Sequence, residues 1–516
     1  MRNVRVGVLL FGFGCLSLAC SSKSGPSKGA AGAGGAGGAA GHGGAAGTAG
    51  GGGLPGQGGG GVAGQGPGGS GIAGMAGQGA GGDAGAGGSA GHPASGGGGA
   101  AGTAGQGAGG VAGSPGQGGG GATNPSACSG AVHSVAPAGP AVSPPALTVA
   151  PGFTLTAIAK VSQARQLVAL PNGDLLVATS GASTYLIPNA DALVAPGAPA
   201  VFTTPGEAGA QGVAFDAASC TVYLSAQHDI YRISYRDGQQ TGATSRPIAS
   251  VRSGSVSPNR PAGDTDEHKT TSVAVAGGML YAGVGSSCNA CVEKDPTRAS
   301  VQQMDLSGNQ MSTRATRFRN AIALTENPST RTLWAGGAGQ DSLPTQHPYE
   351  FFDAVTLHPG LADYGWPDCE ENHVAYTAGA SCAATVAPLV VLPAYSTIIG
   401  AAFYPTNPGG PYAFPAPYRG GLFLAAHGSW HQNPNGTNAA VPQVVFVPMN
   451  GDAPAVPVDW SNPTRQWSVF VGGFEASNGM TRVARPTGIA VGPLGSLFIA
   501  DDHLEGFIFR IRPGTN

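Results

Sequence analysis

One pattern recurs six times along this chain and constrains its fold more than any other feature. Each copy is a short apolar strand, a turn rich in Gly, Asn, Pro or Ser, and a second apolar strand. The copies span Arg165–Thr179, Gln211–Ala226, Thr271–Gly285, Asn320–Gly337, Gly400–Gly428 and Thr487–Asp502. Turn residues of this kind suit hairpin connections, so each copy is predicted to be a β-hairpin. A repeated unit of this size cannot bury its apolar face alone, so neighbouring copies must pack together.

The spacing of the copies predicts four strands per unit, because each hairpin is followed by enough chain for two further strands. Radial repetition of four-stranded sheets is a β-propeller, so six copies predict an all-β domain with six blades. The strand-like segment Phe153–Val161 precedes the first copy and is predicted to complete the last blade, which closes the ring. A parallel β-helix is disfavoured because the period is long and uneven.

The first twenty residues predict an export signal. Arg2 and Arg5 form a positive end, and Val6–Leu18 is an apolar segment too short to span a bilayer. The ending LSLAC resembles the bacterial lipobox, in which Cys20 would be lipidated; an ordinary secretory signal is the alternative. We therefore expect an exported protein of the bacterial cell envelope, attached to the membrane through a lipid anchor only.

Residues 21–127 consist almost entirely of Gly, Ala, Gln, Ser and Pro. A segment with so few large apolar residues cannot offset the entropy of ordering, so it is predicted to be a disordered linker. Glycine does not occupy every third position, which disfavours a collagen helix. The folded domain is therefore predicted to occupy residues 128–516.

Charge and cysteine content narrow the class of protein further. The formal net charge is −3 and no basic run occurs, which argues against a nucleic-acid partner.

Six cysteines follow Cys20, and an even number in an exported chain favours disulfides. The short loops favour the pairs Cys288–Cys291 and Cys369–Cys382, which leaves Cys128–Cys220. Haem attachment at Cys288–Cys291 is disfavoured because Val292, not histidine, follows.

Polar residues recur where the predicted innermost strands begin or the second strands end. Five of the six units contribute such a residue: Arg165, His268, Arg319, Asn320, Gly339, Gln340, Asp341, His427, Trp430, His431 and Arg485. In a propeller these positions lie on one face, around the central channel. Converging cations and hydrogen-bonding groups there indicate a pocket for a small, flat, anionic ligand.

Several motifs occur in order between Pro145 and Pro513: HKTTSVAV…LYAGVGSSCNAC, RNAIAL…LW, DYGWPDC, FPAPYRGGLFLAAHGSW and RPTGIAVGPLGSLFIADD. Together they resemble the glucose/sorbosone dehydrogenase family, including the pyranose dehydrogenases. Members of that family are six-bladed propellers that use pyrroloquinoline quinone (PQQ). The resemblance implies an oxidoreductase acting on a sugar or sugar aldehyde, with an external electron acceptor.

The resemblance also implies roles for individual residues. His268 matches the catalytic general base, and the planar tricarboxylate PQQ would be bound by Arg165, Arg319, Asn320, His427, Trp430, His431 and Arg485. A Ca²⁺ ion would bind oxygen atoms of Gly339 and Gln340 in the GGAGQD loop, since Ca²⁺ prefers hard oxygen ligands. Two departures are notable, at Lys269–Thr271 and at His431-Gln432, where family members often have arginine. They imply that one carboxylate contact is missing.

Three functions are consistent with these residues. The leading hypothesis is an exported PQQ-dependent sugar dehydrogenase in which Ca²⁺ and the base His268 assist hydride transfer. The second is a non-catalytic surface propeller that binds carbohydrate or protein. The third is a lactonase-like hydrolase with Ca²⁺ held by carboxylates in the channel, which is disfavoured because the corresponding positions are mostly basic or neutral.

Overall fold

The computed structural model describes Cys128 and residues 145–209, 211–243, 246–253, 267–343 and 347–514. All of these residues belong to the unit formed by residues 113–516. The predicted signal peptide, the lipidation site Cys20 and the linker at 21–127 lie outside the described residues. Where the structure describes the chain, no helix has the length and apolar character needed to cross a bilayer.

The described chain folds into six antiparallel sheets of four principal strands each, which confirms the predicted six-bladed β-propeller. From the innermost strand outward, blade 1 consists of Ala164–Ala169, Leu175–Thr179, Thr184–Ile187 and Ala200–Thr203. Blade 2 consists of Gly212–Asp216, Thr221–Ser225, Asp229–Ser234 and Ala249–Ser250. Blade 3 consists of Thr271–Ala276, Met279–Val284, Ser300–Met304 and Ser312–Thr316, with Ala362–Asp363 added in parallel at its edge.

The remaining blades follow the same plan. Blade 4 consists of Ala321–Asn327, Thr332–Gly337, Glu350–Asp353 and Val390–Leu392. Blade 5 consists of Ile398–Phe403, Leu422–Ala426, Gln443–Val447 and Ser468–Gly472, with Thr148–Val149 at its edge. Blade 6 consists of Pro486–Val491, Leu497–Asp501, Phe507–Pro513 and Phe153–Lys160. Two small hairpins pair Cys369–Glu370 with Val374–Ala375 and Met449–Asn450 with Ala453–Pro454, and 3₁₀ turns occur at Val355–Leu357, Ala416–Tyr418 and Pro463–Gln466.

The ring closes through strands from opposite ends of the domain. The N-terminal strand Phe153–Lys160 pairs antiparallel with Phe507–Pro513, placing Leu155 opposite Ile511. This pairing confirms that the segment before the first copy completes the last blade. The pairing covers the outer edge of Phe507–Pro513 and joins the two ends of the domain within one blade.

Apolar contacts between neighbouring blades form the core. The second strands of blades 1, 2 and 5 are buried along their whole length, because a neighbouring blade covers each face. Between blades 5 and 6, Phe414, Phe423 and Phe470 pack with Phe509. Small residues allow the innermost strands to approach closely: a Cβ atom at Gly488 would lie 2.1 Å from the Arg165 carbonyl oxygen.

Three disulfides link the cysteine pairs predicted from the sequence. They join Cys128 to Cys220, Cys288 to Cys291, and Cys369 to Cys382. The innermost strands surround a channel of about 430 Å³. We call the end of this channel where the innermost strands begin and the second strands end the site face.

Candidate active site

His268 lies on the site face, just before the innermost strand of blade 3. Its Nδ1 is 2.8 Å from the Ser286 hydroxyl, which donates its only proton to the Cys288 carbonyl at 2.7 Å. The hydroxyl must therefore accept a hydrogen bond from Nδ1–H, which leaves the lone pair of the imidazole on Nε2. Burial and the nearby Arg319 charge lower the pKa of His268 to about 3. At neutral pH His268 is thus an uncharged base with its free nitrogen at Nε2.

Arg319 is buried at the start of blade 4, and protein acceptors surround it. Its Nε donates to the Asn289 carbonyl at 3.0 Å, and its Nη2 donates to Asn289 Oδ1 and Asp341 Oδ2, both at 2.8 Å. Its Nη1 donates to the carbonyls of Ala338 and Gly339. Every nitrogen of this guanidinium therefore already has a partner from the chain.

The neighbouring Asn320 contrasts with Arg319. Its side-chain Oδ1 is buried and has no hydrogen-bond partner within the described part of the chain. Gly285 lies close to it, since a Cβ atom there would be 2.9 Å from that oxygen and 2.5 Å from the His268 Cβ. Only glycine fits between them, and Asn320 presents a free acceptor near the base.

The loop that was predicted to bind the metal, with Gly339 and Gln340, lies beside two buried carboxyl groups. The Gly339 amide donates to Glu350 Oε2 at 2.6 Å, and the Gln340 side chain donates to the Pro367 carbonyl at 3.3 Å. Burial raises the pKa of both Glu350 and Glu370 to about 8. Both carboxyl groups are therefore largely protonated at neutral pH, so they contribute little negative charge near the loop.

Asp341 connects blade 4 to blade 5. Its Oδ2 accepts from Arg319, and its Oδ1 is 2.9 Å from His431 Nε2. The His431 ring also packs on Tyr395, with ring centroids 4.6 Å apart. We refer to His268, Ser286, Asn289, Arg319, Asp341 and His431 as the Arg319 cluster.

A second group of charges lies where blades 5, 6 and 1 meet. His427 Nε2 is 2.9 Å from Asp502 Oδ1, and Arg165 Nη1 is 3.0 Å from Asp502 Oδ2. Burial lowers the pKa of His427 to about 4, although its bond to Asp502 opposes the shift. Burial also disfavours the Asp502 carboxylate, but the bond from His427 and the nearby arginines outweigh it and lower its pKa to about 2. A neutral imidazole therefore donates to an ionised carboxylate at neutral pH.

Arg485 and Arg482 add two guanidiniums beside this pair. Arg485 is buried, donates to the carbonyls of His427 and Gly428 at 3.1 Å, and lies 4.3 Å from the Trp430 ring centroid. Arg482 lies 5.6 Å from the same ring. Burial and the neighbouring Arg482 charge lower the pKa of Arg485 to about 9. Trp430 is 77% exposed, so one large aromatic surface faces solvent over two cations.

The polar atoms of these arginines are incompletely satisfied. Arg482 Nε, Arg482 Nη2 and Arg165 Nε are buried and have no hydrogen-bond partner among the described residues. Buried donors without acceptors are rare and indicate a ligand or an ordered water. We refer to Arg165, His427, Trp430, Arg482, Arg485 and Asp502 as the Arg485 cluster.

Most of these residues were predicted from the sequence, but several residues that hold them in place were not. Ser286 and Asn289 follow the second strand of blade 3, and Arg482 precedes blade 6 by a few residues; such positions carry no distinctive signal. Besides Asp341, which was placed on this face from the sequence, a second carboxylate, Asp502, lies here. Asp502 ends the motif LFIADD, so its position after a second strand could have identified it.

One group of potential metal ligands was found within the described ranges, formed by Cys288, Cys291 and Glu293. The two cysteines form a disulfide, so they cannot act as thiolate ligands.

Solved structures show which proteins share this fold. The PQQ domain of pyranose dehydrogenase from Coprinopsis cinerea aligns with a TM-score of 0.57 and 17% identity, covering 71% of this chain and 97% of that one. A Trichoderma reesei carbohydrate-active enzyme of family AA12 aligns in an iodide structure with a TM-score of 0.57 and 19% identity, covering 72% and 99%. Its calcium structure gives a TM-score of 0.55 and 18% identity, covering 72% and 98%.

At these identities the alignments show a shared fold. No protein-family model matches the chain, and no curated protein matches it. The residues of the site must therefore carry the functional argument. They combine a neutral imidazole at His268 and an unsatisfied acceptor at Asn320 with a separate cationic group whose spare donors suit a polyanionic ligand.

Proposed function

We propose that this protein is a PQQ-dependent dehydrogenase that oxidises a sugar or sugar aldehyde. The observation that carries the proposal is in the Arg485 cluster, where three buried guanidinium nitrogens, Arg165 Nε, Arg482 Nε and Arg482 Nη2, have no acceptor among the described residues. On the same face, His268 is held as a neutral base. The shared fold with the PQQ domain of a pyranose dehydrogenase supports the same conclusion.

The residues of the Arg485 cluster fit a flat tricarboxylate. Guanidinium donors bind carboxylates strongly, and Arg165 and Arg482 retain buried nitrogens for such bonds. The exposed ring of Trp430 offers a planar surface beside them. Arg319 does not fit this role in its present arrangement, because each of its nitrogens already donates to the protein. PQQ would therefore be held by Arg165, Arg482, Arg485 and Trp430.

The predicted Ca²⁺ ligands fit less well. The Gly339 carbonyl accepts a hydrogen bond from Arg319 Nη1, so a Ca²⁺ ion there would lie beside a guanidinium. Repulsion between the two cations opposes metal binding at that oxygen. We assign Ca²⁺ no step, and PQQ titrations with Ca²⁺ and with chelator test whether the cofactor needs it.

In the proposed reaction, His268 Nε2 removes the proton of a sugar hydroxyl. Ser286 keeps the other ring proton on Nδ1, so the base presents its lone pair in one direction only. Arg298 donates to the His268 carbonyl at 3.1 Å and thereby fixes the backbone that carries the ring. When bound, PQQ supplies the acceptor for the hydride, which leaves the sugar carbon atom that bears this hydroxyl.

We also propose that the protein is exported and lipid-anchored, and that it delivers electrons to an external acceptor. The support is the signal-like segment at 1–20, which ends in Cys20. A bacterial host expressing the full chain should incorporate labelled palmitate into the wild type and not into C20A. Equal labelling of both proteins would contradict the anchor.

The catalytic proposal is tested by reconstituting the protein with PQQ and measuring dye-linked oxidation of aldoses. H268Q should lose about 10²–10⁴-fold in kcat while retaining PQQ binding, because it removes only the base. H358Q is the matched control, since His358 follows the third strand of blade 4, at the end of the propeller opposite the site face, and should not affect the rate. PQQ binding without turnover of any aldose would instead favour the non-catalytic carbohydrate-binding propeller.

A further inference from the structure

The disulfide Cys288–Cys291 closes a ring of four residues directly after the second strand of blade 3. The proposed reaction gives this ring no role. Its position is unusual, because two separate parts of the Arg319 cluster depend on it. One is the tautomer of His268, that is, which ring nitrogen carries the proton. The other is the orientation of the Arg319 side chain.

The first contact runs from the ring to the base. The Cys288 carbonyl accepts the Ser286 hydroxyl proton at 2.7 Å, and Ser286 then accepts from His268 Nδ1. If Cys288 moved, the Ser286 hydroxyl could turn and donate to Nδ1 instead. The imidazole would then carry its proton on Nε2, where it could no longer act as a base. The ring therefore fixes which nitrogen of His268 is basic.

The second contact is made by Asn289, inside the ring. Its carbonyl accepts from Arg319 Nε and from Trp366 Nε1, each at 3.0 Å. Its side-chain Oδ1 accepts from Arg319 Nη2 and the Asp341 amide, both at 2.8 Å, and its Nδ2 donates to the Asp341 carbonyl at 3.0 Å. One residue thus makes five hydrogen bonds, which join blade 3 to the loop after the second strand of blade 4 and to Trp366.

We propose that Asn289, held by the Cys288–Cys291 ring, is a positioning residue of the site. It orients Arg319 and Asp341, while the adjacent Cys288 carbonyl holds His268 in its basic tautomer. Neither group touches the reacting atoms; both act through Arg319, Asp341 and Ser286. The activity readout rests on the proposed function, but the positioning role can be measured without cofactor.

The experiment compares N289A, N289D and C288S/C291S with the wild type. N289D keeps both acceptor bonds of Oδ1 and loses one donor bond, so it is the conservative variant. C128S/C220S is the matched disulfide control, because that pair lies in the apolar core of blades 1 and 2. The cofactor-free readout is hydrogen exchange of the Trp366 indole N–H, assigned with W366F. The second readout is the pair of kcat and KM values for an aldose with bound PQQ.

We expect indole exchange at least about tenfold faster in N289A and C288S/C291S. N289A keeps the carbonyl that accepts from Trp366 but loses the three side-chain bonds that hold this carbonyl in place, so local opening becomes easier. We expect kcat to fall about tenfold in N289A with KM little changed, and N289D to stay within about threefold of the wild type. C128S/C220S should change neither readout despite its lower stability. Wild-type exchange and kcat in N289A would overturn the proposal. Faster exchange without aldose activity in any protein would support the positioning role and refute the dehydrogenase.

Discussion

Arg319 and Arg482 lie on the same face of the propeller and differ in what surrounds them. Protein acceptors meet every nitrogen of Arg319, which bonds to Asn289, Asp341 and two loop carbonyls. Arg482 has two buried nitrogens with no partner among the described residues. A satisfied guanidinium stabilises the protein itself, whereas an unsatisfied one destabilises it until a ligand supplies acceptors.

Arginine thus has two different roles on this face. The Arg319 cluster is built to hold loops and the base in position. In the proposed function the Arg485 cluster binds an anion, with Trp430 exposed over its cations. A shared motif or a shared residue type could not distinguish these roles, because they depend on which acceptors lie nearby.

The largest expected effect concerns stability. R319M should lower the free energy of unfolding by about 3–5 kcal/mol, because it leaves Asp341, Asn289 and two carbonyls without their cationic partner. Urea denaturation, monitored by tryptophan fluorescence, measures the change in the free energy of unfolding. R482M, the matched variant, should cost less than about 1 kcal/mol. Equal losses in the two variants would contradict the assignment of Arg319 to structure.

For ligand affinity the order of the two variants should be reversed, with R482M having the larger effect. R482M should weaken PQQ binding about 10–100-fold, because hydrogen bonds to charged groups are each worth about 1.5–3 kcal/mol. R236M, which removes an exposed arginine after the third strand of blade 2, should bind like the wild type. Absorbance titration gives all three affinities. An unchanged affinity in R482M would remove the distinction between the clusters.

The pH dependence of kcat/KM below pH 7 tests whether His268 is uncharged. Burial and Arg319 lower the pKa of His268 to about 3, so the imidazole stays neutral as pH falls to 5. The pH dependence of kcat/KM reports this pKa in the free enzyme. We expect no loss attributable to His268 between pH 7 and 5. An unperturbed histidine, with a pKa of about 6.5, would lose about thirtyfold by pH 5.

A smaller effect concerns the carboxyl groups beneath the Gly339 loop. Burial raises the pKa of Glu350 from 4.5 to about 8, so between these values the folded protein binds a proton that the unfolded chain releases. Stability contributed by this proton is complete below pH 4.5 and falls as pH rises through 8, by up to about 1.4 kcal/mol per pH unit. E350Q should flatten that decline in urea titrations between pH 6 and 8. E505Q, at an exposed site, should keep the wild-type slope.

Much of the fold could be predicted from the sequence because the information is local and repeated. Each hairpin has its own strands and turn, and the strand Phe153–Lys160 could be assigned to blade 6 because a strand-like segment precedes the first copy. The two-residue edge strands Thr148–Val149 and Ala362–Asp363 were not predicted, since pairs so short leave no periodic pattern.

The site was less predictable because its contacts join distant loops. His268, Arg319 and Arg485 could be placed on the site face from their positions beside strands. The acceptors of Arg319 could not, since Asn289 and Asp341 come from two different blades. Arg482 resembled a surface charge in the sequence, and only its buried, unpaired nitrogens distinguish it.

Absorbance titration of the purified protein with PQQ tests directly whether the Arg485 cluster holds the cofactor. We expect saturable binding of one PQQ per chain. The double variant R165M/R482M should abolish this binding, and R319M should retain it once the folded fraction is corrected for. The absence of saturable binding, or equal binding by R165M/R482M and wild type, would contradict the claim that the Arg485 cluster holds the cofactor.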